Sequence, residues 1–518
     1  MTTSDIDSES DDGSTFEYNS ASESESESYS EAVDAGETED STTFDVGGKS
    51  TSNAKAKWSC HTVSFLQSRR SQNAANLASL IGASDAAAAL LLDRFPQRPE
   101  DIASTFFDDQ EKVLRLVGIR SLHFDPVFVT ALPGFECPIC FANEPDDPTL
   151  ALQCGHRACL SCYSRYIDQK ITQEGQVRIQ CLSPKCTLHI DESTIQMMVN
   201  PDIYSKYSDL VIKHHISENP SLRFCPSPKG CDLVIEYRIP TSLAKELSPL
   251  VTCDCGHSFC FGCSLPDHRP APCPVVKLWL KKCKDDSETA NWIHANTKDC
   301  PKCDSAIEKN GGCNHIHCRK CNYHFCWVCM GEFLGYDKHS CALWKEVEID
   351  NSTTDAKAHA RQALKRYMHY FTRYQNHHLS ATLDLALSAK IETAMHALQE
   401  TSHLSWIDVQ FLNTAKHTLV ASRSILQWTY CLAFYLKPGD LATFLFEDNQ
   451  QDLEAAVEAL SALLERDFME VDKIPDLKKQ ILDKSVYVMQ RQDKLLECTV
   501  QDLEEGRLTW DSVVGPLR

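Results

Sequence analysis

Residues 1–48 hold fifteen Asp or Glu and not one Lys or Arg. From Tyr336 to Lys437 there is no Gly and no Pro. Only Cys60, Cys431 and Cys498, of 26 cysteines, fall outside residues 137–341. No apolar run reaches the length of a membrane span, and the first residues lack the basic-then-apolar pattern of a secretory signal. Each absence excludes something. A segment such as SESESESYSE, without cations and poor in large apolar groups, cannot offset the entropy of ordering. Residues 1–71 therefore read as a disordered acidic tail and linker, whose serines are also candidate phosphoacceptors. The net charge is −22, and the fifteen acidic residues of 1–48 supply −15 of it. The mildly acidic remainder argues against nucleic acid as the main partner. Without a span or a signal, we expect no membrane association and an intracellular, reducing location: cytoplasmic, and compatible with the nucleus. Cysteines there act as metal ligands or reactive thiols rather than disulfides.

What is present divides into blocks. Residues 72–125 carry signals of short helices. Ser84 can cap a helix running to Phe95, and Pro99 suits a first helical turn. Asp108 with Glu111 forms a capping-box-like start for EKVLRLVGI. Three such helices resemble a ubiquitin-associated-like (UBA-like) domain, with a purely structural bundle as the alternative. After residue 344, ARQALKRYMHYFTRYQNHH, SWIDVQFLNTAKHTLVASRSILQWTYCLAFYL and FEDNQQDLEAAVEALSALLERDF place apolar groups at helical spacing, the last with an expected cap at Asp448 or Asn449. Long helices in a bundle over 345–515 follow.

Between these blocks lie three cysteine clusters. The first comprises Cys137, Cys140, Cys154, His156, Cys159, Cys162, Cys181 and Cys186, enough for two tetrahedral zinc sites. The second comprises Cys225, Cys231, Cys253, Cys255, Cys260, Cys263, His268 and Cys273, with His257 as a bystander. Thiolate and imidazole donors suit zinc, and small domains of this kind gain folding energy from the metal. The third has nine candidates for eight positions: Cys300, Cys303, Cys313, Cys318, Cys321, Cys326, Cys329, His339 and Cys341. The paired spacings use Cys300, Cys303, Cys318 and Cys321 for one metal and Cys326, Cys329, His339 and Cys341 for the other. That leaves Cys313, in NGGCNH. Gly311 and Gly312 let the backbone approach a partner closely. His315, two residues on, can lower the thiol pKa or take a proton from an attacking amine. The rival reading, in which Cys313 is a ligand and another cysteine is spare, stays open at this point.

The three clusters in this order resemble a RING domain (133–190), an in-between-RING domain (205–275), linker helices (276–297) and a catalytic RING-like domain (298–344). Together with KLWLKKCKDDSETANWIHANTKDCPKCDSAIEKNGGCNHIHC and the C-terminal helical block, the chain resembles the Ariadne-type RING-between-RING (RBR) E3 ubiquitin ligases. The fold class this implies is multidomain and mainly α, with small zinc-stabilised α+β modules between the UBA-like domain and a C-terminal Ariadne helical bundle. In a RING, alternate pairs share a metal, so Cys137, Cys140, Cys159 and Cys162 hold one zinc and Cys154, His156, Cys181 and Cys186 the other. In-between-RING sites are sequential, the first four ligands and then the last four. Six zinc ions are expected in all. The resemblance implies a two-step reaction. The first RING docks a ubiquitin-charged E2 conjugating enzyme, Cys313 accepts ubiquitin as a thioester, and the lysine of a protein substrate then attacks, assisted by His315.

Ile139 matches the family's apolar E2 contact, with internal packing as the alternative. Thr187 stands after the last ligand, where many RING ligases carry a basic residue that triggers direct transfer; its presence fits a RING that docks without triggering. The Ariadne block implies autoinhibition, with Glu447, Glu458 and Leu383 at the positions of its contacts; the family has an aromatic where Leu383 stands. Neddylated cullin-RING ligases are the implied activators, sensed by the UBA-like domain.

The chain departs from the family in the close Cys318–Cys321 pair, in His324 where a glutamate is usual, and in the tight His339-x-Cys341. His317, His324 or Asp337 can replace His339 as ligand. Cys60, Cys283, Cys431 and Cys498 read as small hydrophobes. A scaffold ligase without a covalent step, a zinc-rich adaptor that binds ubiquitin-like proteins, and a nucleic-acid binder are the rival functions.

Overall fold

The structure is a computed structural model. It describes residues 58–511 except 96–97, 124–125, 131, 144–146, 239–247, 286–296, 337, 340, 345–355, 403–404 and 467–473. The acidic stretch and Asp337 lie outside the described residues.

The chain is a series of small modules. The sequence assigned residues up to 71 to tail and linker. Instead Trp58–His61 forms strand β1, and helix α1 begins at Val63 and runs to Ile81. Cys60 packs beside the core of Ile235, Val251 and Phe259. That small apolar surface is what orders a stretch whose polarity suggested linker. Then follow α2 (Asp85–Arg94), α3 (Pro99–Asp108) and α4 (Gln110–Val117), four helices around Leu77, Leu91, Ile102 and Phe106. Ser84 caps α2 by accepting the Ala87 amide at 3.2 Å, and Pro99 opens α3. The cap of α4 is Asp109, which accepts the Lys112 amide at 3.0 Å, whereas Asp108 is the last residue of α3. The expected capping box is thus shifted by one residue, because the chain turns at Asp109, the one residue between the two helices. Gly118 ends α4 with φ +79°, and a Cβ there would overlap His189 and the Thr187 carbonyl. The helical domain therefore sits directly on the first cysteine-rich module.

That module holds β2 (Val127–Val129), β3 (Thr149–Ala151) and β4 (Arg157–Cys159) in one antiparallel sheet, with α5 (Leu160–Thr172) packed on it. Helices α6 (Glu192–Met198) and α7 (Pro201–Glu218) start on Asp191 and Asn200, whose side chains accept the Thr194 and Ile203 amides. The second module has β5 (Leu222–Phe224) and β6 (Val234–Tyr237), with β1 as the third strand in the order β1-β6-β5, and the hairpin of β7 (Leu250–Thr252) and β8 (Ser258–Cys260). Helix α8 runs Cys273–Asp285. The third module is two hairpins: β9 (Thr297–Asp299) with β10 (Ala306–Glu308), and β11 (His315–His317) with β12 (His324–Cys326).

The C-terminal bundle contains α9 (Ala356–Ala386), α10 (Ser388–Ser402), the short α11 (Trp406–Val409), α12 (Phe411–Tyr435), α13 (Leu441–Leu464) and α14 (Ile474–Glu504). Helix α13 begins after Asp440, so the cap expected at Asp448 or Asn449 is corrected. Both lie mid-helix, because Thr443, Phe446, Gln450 and Leu453 form one buried stripe across that point. Asn449 bonds back to the Leu445 carbonyl at 2.9 Å. Trp279 of α8 is fully buried among Tyr367, Tyr374 and Phe434, with ring centroids 5.4–5.8 Å away. Burial of a Trp is worth about 3–5 kcal/mol by truncation, so the linker helix is clamped to the bundle. Cys283 also packs against this core, and Cys431 lies within it. No single described helix is long and apolar enough to cross a membrane.

Candidate active site and zinc centres

Sulfurs that share a tetrahedral zinc, at a Zn–S length of about 2.3 Å, lie about 3.8 Å apart. Disulfide sulfurs lie about 2.05 Å apart. In the first module Cys137 and Cys162 are separated by 3.9 Å, Cys140 and Cys159 by 3.8 Å, and Cys154 and Cys181 by 3.5 Å. In the second, Cys225–Cys255 is 3.6 Å, Cys231–Cys253 3.8 Å and Cys260–Cys273 3.6 Å. In the third, Cys300–Cys321 is 3.6 Å and Cys303–Cys318 is 3.7 Å. These are tetrahedral edges, not disulfides.

Ligand atoms within 4.8 Å of one another group as Cys137, Cys140, Cys159 and Cys162, then as Cys154, His156, Cys181 and Cys186. The interleaving is the RING pattern. Cys225, Cys231, Cys253 and Cys255 form the next group, then Cys260, Cys263, His268 and Cys273, then Cys300, Cys303, Cys318 and Cys321. The donor sets fit zinc. His268 Nδ1 donates to the Ala271 carbonyl at 2.8 Å, which leaves Nε2 facing Cys263 at 3.1 Å. His257 belongs to none of these five groups and stacks on Phe259. His339 lies with Nε2 3.5 Å from Cys329 Sγ. Cys326 adjoins both Cys329 and Cys341. The proposed substitutes His317 and His324 instead stack on each other, 4.5 Å between centroids.

Cys313 belongs to none of the five groups. It sits in the loop between β10 and β11, only 4 % exposed. Its Sγ lies 3.2 Å from Tyr336 Oη, and the His315 amide donates to it at 3.4 Å. The rest of its surroundings come from the bundle. The Cys313 amide donates to Glu465 Oε1 at 3.0 Å. The Asn314 amide donates to Glu458 Oε2 at 2.6 Å, and Asn314 Nδ2 to Glu458 Oε1 at 2.7 Å. Arg423, fully buried, pairs with Glu458 and with Asp384 at 3.2 Å and donates to the Gly312 carbonyl at 3.0 Å. Lys309 Nζ, also buried, donates to Asn314 Oδ1 at 3.0 Å, Asn376 Oδ1 at 3.1 Å and Ser380 Oγ at 2.9 Å. A Cβ on Gly311 would strike the Glu465 carboxylate, and one on Gly312 that of Asp384. The partner that the two glycines admit is thus the bundle of the same chain.

The electrostatics follow from burial. Burial, then the Glu458 and Glu465 carboxylates, pushes the Cys313 thiol up to about 12. Burial pushes Lys309 down to about 8. Burial opposes the Arg423 charge, yet Glu458 and Asp384 hold its guanidinium above the usual range. Burial, then His324 and His317, lowers His315, so its imidazole is neutral near pH 7. Its Nε2 lies 2.8 Å from His324 Nδ1, and its ring stacks on Phe333 at 4.3 Å.

Of the expected latch residues, Glu458 reaches the loop. Glu447 does not stand on it: its carboxylate accepts from Tyr370 at 3.1 Å inside the bundle. Leu383 is half-buried, and its neighbour Asp384 makes the loop contact. A helix turns about 100° per residue, so a position matched by alignment can be one residue from the one that points inward. Asp384, Arg423, Glu465, Tyr336 and Lys309 were missed. Burial of charge marks Lys309, Asp384 and Arg423 in the structure, whereas Glu465 and Tyr336 are marked only by their contacts with Cys313. Ile139 is 49 % exposed and Phe141 71 % exposed on the first module, and Thr187 is also exposed.

Family models agree with this modular reading. The C3HC4-type zinc finger (RING finger) matches residues 137–186. The IBR domain, a half RING-finger domain, matches 205–273, and a second IBR domain model matches 295–343. The Ariadne domain matches 365–513. The chain is 41 % identical to E3 ubiquitin-protein ligase dbl4 of Schizosaccharomyces pombe over 81 % of this chain and 82 % of that one. It is 40 % identical to E3 ubiquitin-protein ligase ariadne-1 of Drosophila melanogaster, over 70 % and 71 % of the two chains. Against E3 ubiquitin-protein ligase ARIH1 of Homo sapiens the identity is 40 %, over 70 % and 64 %. With the RING, IBR and Ariadne modules in sequence and a relative matched over most of both lengths, this chain belongs to the Ariadne-type RBR E3 ubiquitin-protein ligases.

Proposed function

We propose that the chain accepts ubiquitin from a conjugating enzyme as a thioester on Cys313 and passes it to a substrate lysine, and that the C-terminal bundle shuts the thiol away at rest. The observation that carries this reading is the position of Cys313, its Sγ 3.2 Å from Tyr336 Oη and its loop covered by Glu458 and Glu465. Exchange between a thiol and a thioester is close to isoenergetic, so the protein has to supply proximity and a deprotonated sulfur. The closed form supplies neither. A thiol pushed up to about 12 is protonated near pH 7. The open form would restore it. His315, neutral and beside the loop, is suited to take the proton of the incoming amine in the second step.

Ile139, exposed beside Phe141, would dock the conjugating enzyme. Six zinc ions, two per module, would hold the three modules; their chemistry is structural, and no reaction step runs through them. Neddylated cullin-RING ligases would open the latch through the UBA-like domain, in the cytoplasm or the nucleus.

The test uses the full chain opened by Glu458→Ala with Glu465→Ala, mixed with ubiquitin-charged conjugating enzyme and resolved with and without reductant. A reductant-sensitive ubiquitin adduct that disappears on adding Cys313→Ala is expected. No adduct, while the conjugating enzyme still binds, would overturn the covalent reading in favour of a scaffold.

A further inference from the structure

We infer that the backbone N–H groups of Cys313 and Asn314, with the Asn314 carboxamide, form the oxyanion hole for thioester transfer, and that Glu458 and Glu465 close the enzyme by seating carboxylates in it. The inference deepens the thioester reading above and rests on it. Three N–H donors beside the thiol end on carboxylate oxygens at 2.6–3.0 Å. Carboxylate oxygens, like the oxygen of a tetrahedral adduct, are anionic acceptors that draw charge-assisted hydrogen bonds from N–H donors. The backbone carbonyl of Glu458 also lies 3.9 Å from Cys313 Sγ, so the residue that fills the donors also covers the nucleophile. The bundle is thus more than a lid, because it occupies the site as an anionic mimic of the intermediate.

When the Cys313 thiolate attacks the thioester carbon, the new C–S bond forms and the carbonyl π pair moves to oxygen. Collapse of the adduct reforms the carbonyl and expels the conjugating enzyme's thiolate, which takes up the proton that Cys313 gave away. Only during this interval does an oxyanion exist, so donors aimed at it stabilise the transition state and not the resting thioester.

Lys309 is a positioning residue for this hole. Its Nζ and Asn376 Nδ2 both donate to Asn314 Oδ1, at 3.0 Å each, which fixes the amide so that its NH2 faces the anion. Asn376 belongs to α9 of the latch, whereas Lys309 belongs to the catalytic module and stays when the latch leaves.

The experiment is a single-turnover assay on the opened full chain (Glu458→Ala, Glu465→Ala), with Asn314→Ala or Lys309→Met added. Thioester formation from charged conjugating enzyme is compared with iodoacetamide alkylation of Cys313, a displacement that develops no oxyanion. Asn314→Ala is expected to slow thioester formation by about 10²-fold, the usual loss for one oxyanion donor, with alkylation unchanged. Lys309→Met is expected to act in the same selective way but less strongly. Equal thioester rates with and without Asn314, or a parallel fall in alkylation, overturn the inference. An opened parent that alkylates but never forms an adduct defeats the thioester reading itself, and is told apart because it needs no Asn314 variant.

Discussion

The first RING module and the catalytic module are built alike, from short antiparallel strands around sulfur-rich tetrads, yet they meet solvent in opposite ways. Ile139 and Phe141 stand out from the first, 49 % and 71 % exposed, while Cys313 in the third is 4 % exposed. Charge is arranged differently as well. Ile139 stands exposed as an apolar group, whereas Cys313 and Asn314 face Glu458 and Glu465. The difference teaches where control is applied. On the proposed function, a chain with its docking face open and its reacting atom closed would hold a charged conjugating enzyme without receiving ubiquitin. Control would then rest on a few contacts between the Cys313 loop and the bundle.

The largest effect that would break this contrast is loss of the buried charge network. Arg423→Met leaves Glu458 and Asp384 buried without their cation. Such a deletion costs about 3–5 kcal/mol, and the closed arrangement is expected to weaken by that order. Alkylation of Cys313 at neutral pH should rise accordingly; an unchanged rate would show that the pair does not hold the loop shut. A smaller effect is expected at the open face. Ile139→Ala should weaken binding of the conjugating enzyme by about 1–2 kcal/mol, the scale of an apolar interface truncation, and leave alkylation of Cys313 as it was. A matching change in alkylation would mean the two surfaces are coupled.

The most diagnostic effect is in pH. The thiol is raised in the closed form to about 12 and should return towards the ordinary cysteine value of about 8.5 when open. A raised acid favours closure fully below the open-form value, and that contribution is lost as pH rises through the closed-form value. Alkylation of the native chain should therefore climb steeply only above about pH 9, as deprotonation pulls the loop open. In the opened variant it should follow an ordinary thiol curve. Coincident curves would remove the burial argument.

Legibility differed between modules for physical reasons. A tetrad such as Cys300, Cys303, Cys318 and Cys321 is visible because chelation imposes short spacings on residue types that have few other uses there. The surplus thiol Cys313 was visible by the same count. Helix existence in the bundle was visible from apolar period, but the start of α13 was misplaced, because Asp448 and Asn449 resemble caps only when the buried stripe around them is unknown. Strand β1 was invisible, since WSCH gains its order from β6, almost two hundred residues away in the chain.

The sequence by itself determined the order of the modules, the five cysteine-rich tetrads and the surplus of one cysteine in the third cluster, since each rests on local spacing and residue chemistry. Only the tertiary structure decided what closes Cys313. Asp384, Arg423 and Glu465 sit in ordinary helical sequence, and Glu447, an expected contact, turned out to face Tyr370. The reason is that a contact between a loop and helices distant in sequence depends on helix rotation and packing, which no local pattern encodes.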